Sequence, residues 1–336
     1  MKKFLITGGA GFIGSTIASA AEDAGDQPII LDNFVTGRRE FVEGRICYEG
    51  SISDADLVRR IFADHPEIEA VIHCAALIVV PESVAEPVRY YEANVVDTLR
   101  FVETLLEVGC HRLLFSSSAS IYEPDEDFSV DETSAIAPQS PYARTKVVVE
   151  DMLRDISAAT PLRVISMRYF NPVGADPEFR TGLQVPEPTH ALGKLIQLTE
   201  QGKPFAITGT DYATRDGSGI RDYVHVWDLA AAHLAGLDRF GDALEGSSYA
   251  VINLGTGRGT TVLELIRAFE SVIGHPIETS VADRRPGDAA GAFTRSDKAE
   301  RLLGWTPTRT LEEGIADTLT WFGKRAEVLP DLASHP

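Results

Sequence analysis

Tyr142 and Lys146 stand four residues apart in Ser140-Pro141-Tyr142-Ala143-Arg144-Thr145-Lys146, where a helical pattern begins. Residues i and i+4 share a helix face, so the lysine ammonium can approach the phenol oxygen and favour its phenolate form. A tyrosine held in that way can act as a base near neutral pH. The same spacing is also that of an ordinary helix surface, and the pair means chemistry only if other groups converge on it. A second constellation opens the chain: Gly8-Gly9-Ala10-Gly11-Phe12-Ile13-Gly14 sets glycines three residues apart between a short apolar run and a helix. Such a loop lets backbone approach a pyrophosphate while helix N-terminal amides point at it. Asp32 ends the next apolar run, where a carboxylate accepts hydrogen bonds from both ribose hydroxyls of an adenosine. It would repel a 2′-phosphate, which favours NAD over NADP. Read without the first pair, these residues are equally a tight turn and a capping aspartate. Arg38 and Arg39 read as a solvated loop.

The elements needed to bring these groups together are visible as alternating patterns. Lys3 to Thr7, Pro28 to Leu31, Arg45 to Tyr48, Ala70 to Cys74 and Arg112 to Ser116 read as strands, and Ile13 to Asp23, Ala55 to Ala63 and Val88 to Val108 as helices. This alternation predicts an α/β fold, a Rossmann-type doubly wound parallel sheet with helices on both faces. Near Asn171 the texture changes. Prolines and glycines punctuate 172–188 and a glycine-rich loop runs over 208–219, which predicts a smaller C-terminal lobe over the strand ends, where ligands bind in open α/β sheets.

Composition narrows the partners. A net charge of −19 without a basic run argues against nucleic acid and anionic membrane surfaces, so any phosphate site has to be built locally. Cys47, Cys74 and Cys110 are far apart and form no CxxC pair, so they read as buried thiols in a reducing compartment, with neither disulfide nor metal site. The opening apolar run meets Gly8 too soon for a signal peptide, and the stretch from Ala70 to Val80 contains His73 and is too short to span a bilayer. A cytoplasmic protein is the expectation.

Gly8xxGly11xxGly14, Asp32-Asn33, the strand ending Ser116-Ser117-Ser118 and Tyr142xxxLys146 together resemble the extended short-chain dehydrogenase/reductase family. Ser140-Pro141-Tyr142, Arg168-Tyr169-Phe170-Asn171-Pro172-Val173-Gly174, Arg221-Asp222-Tyr223-Val224-His225-Val226, Asn253-Leu254-Gly255-Thr256-Gly257 and Arg284-Arg285-Pro286-Gly287-Asp288 narrow the resemblance to its UDP-glucose 4-epimerase branch, as far as about Trp321. The resemblance implies an NAD-dependent 4-epimerase of a nucleotide hexose, UDP-glucose/UDP-galactose first. Tyr142 would take the proton of the sugar 4-hydroxyl, Lys146 would lower the tyrosine pKa and hold the nicotinamide ribose, and Ser118 would orient the hydroxyl. Hydride would leave C4 and return to the opposite face. The cofactor would lie along Gly8, Gly11, Phe12, Ile13, Gly14, Asp32, Asn33, Ser51, Ile52, Cys74, Ala75, Ala76, Asn94, Ser116 and Tyr169. The nucleotide sugar would lie along Phe170, Asn171, His190, Ala206, Thr208, Arg221, Arg285 and Asp288, the arginines gripping the diphosphate. Residues 1–170 would then be the NAD-binding domain and 171–330 mainly the nucleotide-sugar lobe, with some segments returning to the first. Homodimers are common in the family, and His225 reads as a structural histidine.

Relatives that dehydrate or decarboxylate nucleotide sugars resemble one another in placing acids just after the serine or threonine of this strand; here Ala119 and Ser120 follow Ser118. Elimination needs an acid and a base there, so oxidation and re-reduction at C4 is the chemistry left. Ile78, Ser51, Gly193 and Thr208 depart from the branch's usual residues, and Ala289-Ala290-Gly291-Ala292 are all small where some relatives carry a tyrosine that limits the sugar pocket. UDP-GlcNAc/GalNAc and non-UDP sugars therefore stay open as substrates. So do a net nucleotide-sugar oxidoreductase that exchanges its cofactor, and a cofactor-sensing regulatory protein, although the latter would not be expected to keep Tyr142 and Lys146.

Overall fold

The computed structural model describes residues 1–284, 290–295 and 297–334. Its main sheet has seven strands: β1 (Lys3–Thr7), β2 (Gln27–Asp32), β3 (Ile46–Glu49), β4 (Ile68–His73), β5 (Arg112–Ser118), β6 (Arg163–Tyr169) and β7 (Tyr249–Leu254). They run parallel in the order β7-β6-β5-β4-β1-β2-β3. A parallel sheet is covered on both faces, so its strands are apolar throughout and their period of two sorts side chains between two cores. Phe4, Ile6, Ile72, Leu114 and Met167 pack on one face, with Ile17 of the helix Phe12–Asp23 and Leu229 of the helix Val226–Asp238. Leu5, Val71, Leu113 and Phe115 pack on the other, with Val58 of Ala55–Asp64, Phe101 of Asp97–Glu107 and Val149 of Pro141–Ala159.

The five strands expected from the sequence are present, β1 with the expected bounds and the other four with one or both ends shifted. β5 runs two residues further than expected because Ser116–Ser118 pair with Met167–Tyr169. β7 comes from beyond the halfway point of the chain, so part of the second half returns to the sheet. After β3 the chain crosses to β4 on the other side of β1, which makes the C-terminal ends of β1 and β4 the switch point of the sheet.

The expected helix Val88 to Val108 is broken. It runs as Pro87–Tyr91, a π-helical turn at Glu92–Val96 and Asp97–Glu107. The π turn accompanies an inward Asn94, 3 % exposed, whose side chain is bonded on both its polar atoms. Beyond β6 a third core gathers Leu192, Leu195, Phe205, Tyr223, Leu265 and Trp321. Short strand pairs tie this lobe together and to the main sheet's strand ends: Asn171–Val173 with Tyr223–His225, Phe205–Thr208 with Thr279–Ala282, and Ser129–Val130 with Phe293–Thr294.

Candidate active site

The segment that carries Tyr142 is a helix start built by its own sequence. Ser140 has extended backbone and its hydroxyl accepts from the Ala143 amide at 3.1 Å, while Pro141 occupies the first turn, where its missing N–H costs nothing. Tyr142 therefore sits in the first turn, at the positive end of the helix dipole, and Lys146 one turn further along the same face. The ammonium of Lys146 is 4 % exposed, donates to the Ser116 carbonyl at 2.8 Å and lies 5.9 Å from the Tyr142 ring centroid. Burial lowers the Lys146 pKa to about 8. Burial also pushes the Tyr142 phenol above its ordinary value, and the Ser118 hydroxyl pulls the other way. In the protein alone the ammonium points at Ser116 and desolvation is the largest influence on the phenol; the expected lowering is one in which the positive nicotinamide of NAD+ would share.

Ser118 ends β5 and its hydroxyl caps the short turn Ala119–Ile121, accepting from the Ser120 amide at 3.2 Å and meeting the Ser120 hydroxyl at 2.9 Å. Positions 119 and 120 carry a methyl and a hydroxyl, so no proton donor or acceptor of carboxylate strength stands there. Ser116 completes this end of β5: its hydroxyl donates to Cys74 Sγ at 3.2 Å, and Tyr169 on the neighbouring strand hydrogen-bonds it. Burial raises the Cys74 thiol to about 11, so it stays protonated.

At the switch point the glycine loop fits a dinucleotide. Gly8 has φ +70°, and a Cβ there would fall 2.7 Å from the Ala75 amide nitrogen; a Cβ on Gly14 would fall 2.3 Å from the Gly8 carbonyl oxygen. Both glycines are demanded by close backbone approach. No side chain caps the helix that starts at Phe12 and its first turn holds no acid, so the amides there face outward for an anion. Asp32, 7 % exposed, accepts from Ala10 at 2.9 Å and from Phe34 at 2.8 Å; burial raises its pKa and these backbone amides oppose the rise. A carboxylate so placed keeps lone pairs for a ribose diol. Asn33 turns its amide oxygen back to Val35, Ser51 bonds the Ser53 hydroxyl, and the Ile52 side chain packs in the core beside Leu57.

A family model described as NAD dependent epimerase/dehydratase matches residues 4–255. The chain belongs to that family. A UDP-glucose 4-epimerase from Azospirillum brasilense is 40% identical over 322 residues, 95% of this chain and 91% of that protein. Among solved structures, a UDP-glucose 4-epimerase from Stenotrophomonas maltophila with bound NAD and formylated UDP-arabinopyranose has a TM-score of 0.91 at 33% identity, covering 97% of this chain and 99% of that one. The Bifidobacterium longum enzyme in complex with NAD+ and UDP has a TM-score of 0.88 at 34% identity, covering 97% and 100%.

The residues expected on the substrate side come from several loops. Arg221 Nη1 donates to the carbonyls of Ile220 and Ala290, at 2.7 and 2.6 Å, which ties one side of the guanidinium to the small-residue segment. Gly291 has φ +113°, and a Cβ there would fall 1.8 Å from the Ile220 carbonyl oxygen, so that position has to be glycine here. Arg285 and Asp288, the other expected diphosphate contacts, lie outside the described residues. Asn171 is half-buried and its backbone amide donates to the Asp222 carbonyl, while Phe170 packs with Tyr122 and Ala143. His190 caps the helix Ala191–Glu200, and burial lowers its pKa to about 4. Gly193 is explained by its neighbours: a Cβ would fall 2.4 Å from Pro188. Ala206 is exposed and Thr208 half-buried on one short strand.

Four groups have roles that the sequence does not announce. Asn94, expected near the cofactor, pairs with both backbone groups of Leu77, at 2.8 and 3.0 Å, and donates to Thr145 beside Lys146. Glu150 stands one turn beyond Lys146 and binds Arg168 and the Ser117 hydroxyl, tying the helix Pro141–Ala159 to β5 and β6. Its i+8 spacing from Tyr142 is the available signal. Asp222 accepts from Thr256, Gly257 and Thr294 and joins three loops. Arg284 stacks on Tyr212, 4.0 Å from the ring centroid, and bonds Asp211. His225 is structural, as expected: it accepts from the Trp227 amide and meets Asp317 at 3.1 Å. Arg38 is no solvated residue, since it bonds Asp331 and the Gln184 carbonyl.

Proposed function

We propose that this chain is an NAD-dependent isomerase, a 4-epimerase of a nucleotide hexose with UDP-glucose/UDP-galactose as the substrate pair. The observation that carries the reading is Ser118, Tyr142 and Lys146 at the end of a dinucleotide cradle, with Ala119 and Ser120 where an eliminating enzyme needs acids. The glycine loop, the open helix start at Phe12 and Asp32 are the groups that would hold NAD. The chemistry NAD supplies when bound is reversible: it takes a hydride from the sugar C4 and gives it back.

The chain's own residues handle the proton. Tyr142 Oη takes it from the 4-hydroxyl and returns it to the epimeric oxygen, with Ser118 Oγ orienting that oxygen between the two events. Lys146 Nζ, fixed on the Ser116 carbonyl, keeps a positive charge below the phenol and adds to the helix dipole at Tyr142. Arg221 and, outside the described residues, Arg285 and Asp288 would hold the diphosphate. Such a hold on the nucleotide would leave the hexose free to turn over. The similarity to enzymes solved with NAD, with UDP and with a UDP-sugar supports this assignment of the two ends of the site.

The test is a panel of UDP-, dTDP-, CDP- and GDP-sugars assayed for epimer formation, with Tyr142→Phe as control. Absence of UDP-glucose from UDP-galactose, together with no epimer from the rest of the panel, would refute the reading. UDP-GlcNAc belongs in the panel because Ala290 and Ala292 are small; its turnover would place an N-acetyl group within the pocket.

The domain division at residue 170 is supported by the third core of the second half, with β7 and the helix Val226–Asp238 among the segments that return. A homodimer is proposed through the outer face of Pro87–Glu107 and the helix Pro141–Ala159, where Val88, Val96, Leu99 and Val148 are exposed apolar residues; light scattering at the monomer mass would remove it. A cytoplasmic location is proposed on the three free thiols, Cys47, Cys74 and Cys110, which suit a reducing compartment. Among the described residues no helix is long and apolar enough to cross a membrane.

A further inference from the structure

The loop that follows Asp32 is held from outside by residues far away in the chain. Its Arg38 amide donates to the Ala10 carbonyl at 2.9 Å, so the loop is fastened to the glycine turn on its inner side. On its outer side the Arg38 guanidinium donates to Asp331 at 2.8 Å and to the Gln184 carbonyl at 3.2 Å. Gln184, 6 % exposed, returns a bond from its side-chain amide to the Thr36 carbonyl at 3.0 Å. Asp331 belongs to a short 3-10 turn after the last long helix, and that turn is anchored by Leu329 and Leu332 in the core that also contains Phe41 and Trp321. Between this loop and Glu49 lies an open cavity of about 370 Å³ whose lining includes Asn33, next in the chain to Asp32. Phe34, with φ +58°, and Arg39, 4.4 Å over its ring, shape the wall.

We propose that Arg38, Gln184 and Asp331 form a clasp that keeps the Asn33–Arg39 loop closed over the adenosine end of the cofactor and so slows cofactor release. This rests on the epimerase reading, in which a hydride that leaves the sugar has to be returned by the same bound molecule. A loop free on its outer side opens at little cost. Here opening has to break bonds to two segments, one of them almost fully buried. The clasp residues touch neither the reacting carbon nor Tyr142; they are positioning residues that act through the loop.

The experiment loads the full-length protein with NADH, chases with excess NAD+, and follows the decay of bound-NADH fluorescence, with thermal midpoints in parallel. Arg38→Met removes both outer bonds and is expected to speed release roughly tenfold, and Asp331→Ala roughly threefold, the modest share of a half-exposed ion pair. Wild-type release rates in both variants, with thermal midpoints close to wild type, overturn the clasp. Should Arg38→Met not fold, Asp331→Ala decides alone, since its side chain is exposed. A wild-type protein that sheds NADH during gel filtration, or makes no epimer, instead refutes the underlying reading, so the two failures are distinguishable.

Discussion

The two ends of the site are built differently. The proton-handling end sits on one face of one helix, Tyr142, Lys146 and Glu150 at successive turns, and the last of these is locked to Arg168 and Ser117 inside the sheet. The nucleotide-sugar end is assembled from loops: Arg221 braces Ala290, Asp222 joins Thr256 to Thr294, and Arg284 lies on Tyr212 at the surface. Buried regular structure fixes geometry to a fraction of an ångström, whereas loops accept substitution with small local shifts. On the proposed reading the chemistry is tied to the core, and the choice of sugar and base is left to segments that can change without unfolding it.

The largest effect is expected where the contrast is sharpest. Tyr142→Phe should lower kcat by at least about 10²-fold with KM little changed, as for loss of a general base; steady-state kinetics with the product epimer as readout checks it, and near-normal turnover would break the assignment. Next comes the lock beneath it. Glu150→Ala leaves Arg168 buried without its partner and should destabilise the fold by about 3–5 kcal/mol in urea unfolding. Glu150→Ala joined with Arg168→Met should recover much of that loss.

On the loop end the changes are milder. Thr208→Phe offers an aromatic face where the branch often packs the uracil, and should lower KM for a UDP-sugar about tenfold, the scale of one base–aromatic stack. An unchanged KM would mean that the base lies elsewhere.

The last contrast is read in acid. Burial holds His73 at about 3 and both His190 and His233 at about 4 in the folded chain. Unfolding returns each to about 6.5, so the unfolded state binds more protons between those values. Stability from these groups is complete above about pH 6.5 and falls as pH drops toward 4, by up to about 1.4 kcal/mol per pH unit for each histidine. His233→Gln should flatten the thermal midpoint's acid slope by one proton, while Thr208→Phe leaves that slope alone.

What can be read from sequence follows sequence distance. Gly8, Asp32, Ser118 and the Tyr142–Lys146 pair are local patterns, each tied to the end of one element, and the structure sets them where those elements meet. Glu150 escapes such a reading because its meaning depends on Arg168 reaching the same height on a neighbouring strand. Arg38 reads as solvated because the partners of its side chain, Gln184 and Asp331, are 146 and 293 positions away. A continuous helix from Val88 overlooks the turn at Asn94, because apolar spacing reports which residues face inward and is blind to one residue too many. For Tyr142 the difference is one of balance: a neighbouring ammonium suggests a lowered phenol pKa, and only the folded protein shows how much solvent is removed.

That extra residue at Glu92–Val96 has a consequence of its own. An α-helix turns 100° per residue, so a π turn acts as a phase shift between the faces that precede and follow it. Before it, Val88 and Tyr91 point outward; after it, Leu99 does, while within the turn Asn94 is held inward by Leu77 and Thr145. Substitution anywhere in the turn keeps this setting, but deleting a single residue would rotate every position on one side by a quarter turn or more. Outside Asn94 the chain can therefore drift in composition here and hardly at all in length, so that alanine replacements at the exposed Glu92 and Val96 should be tolerated where loss of either residue is not.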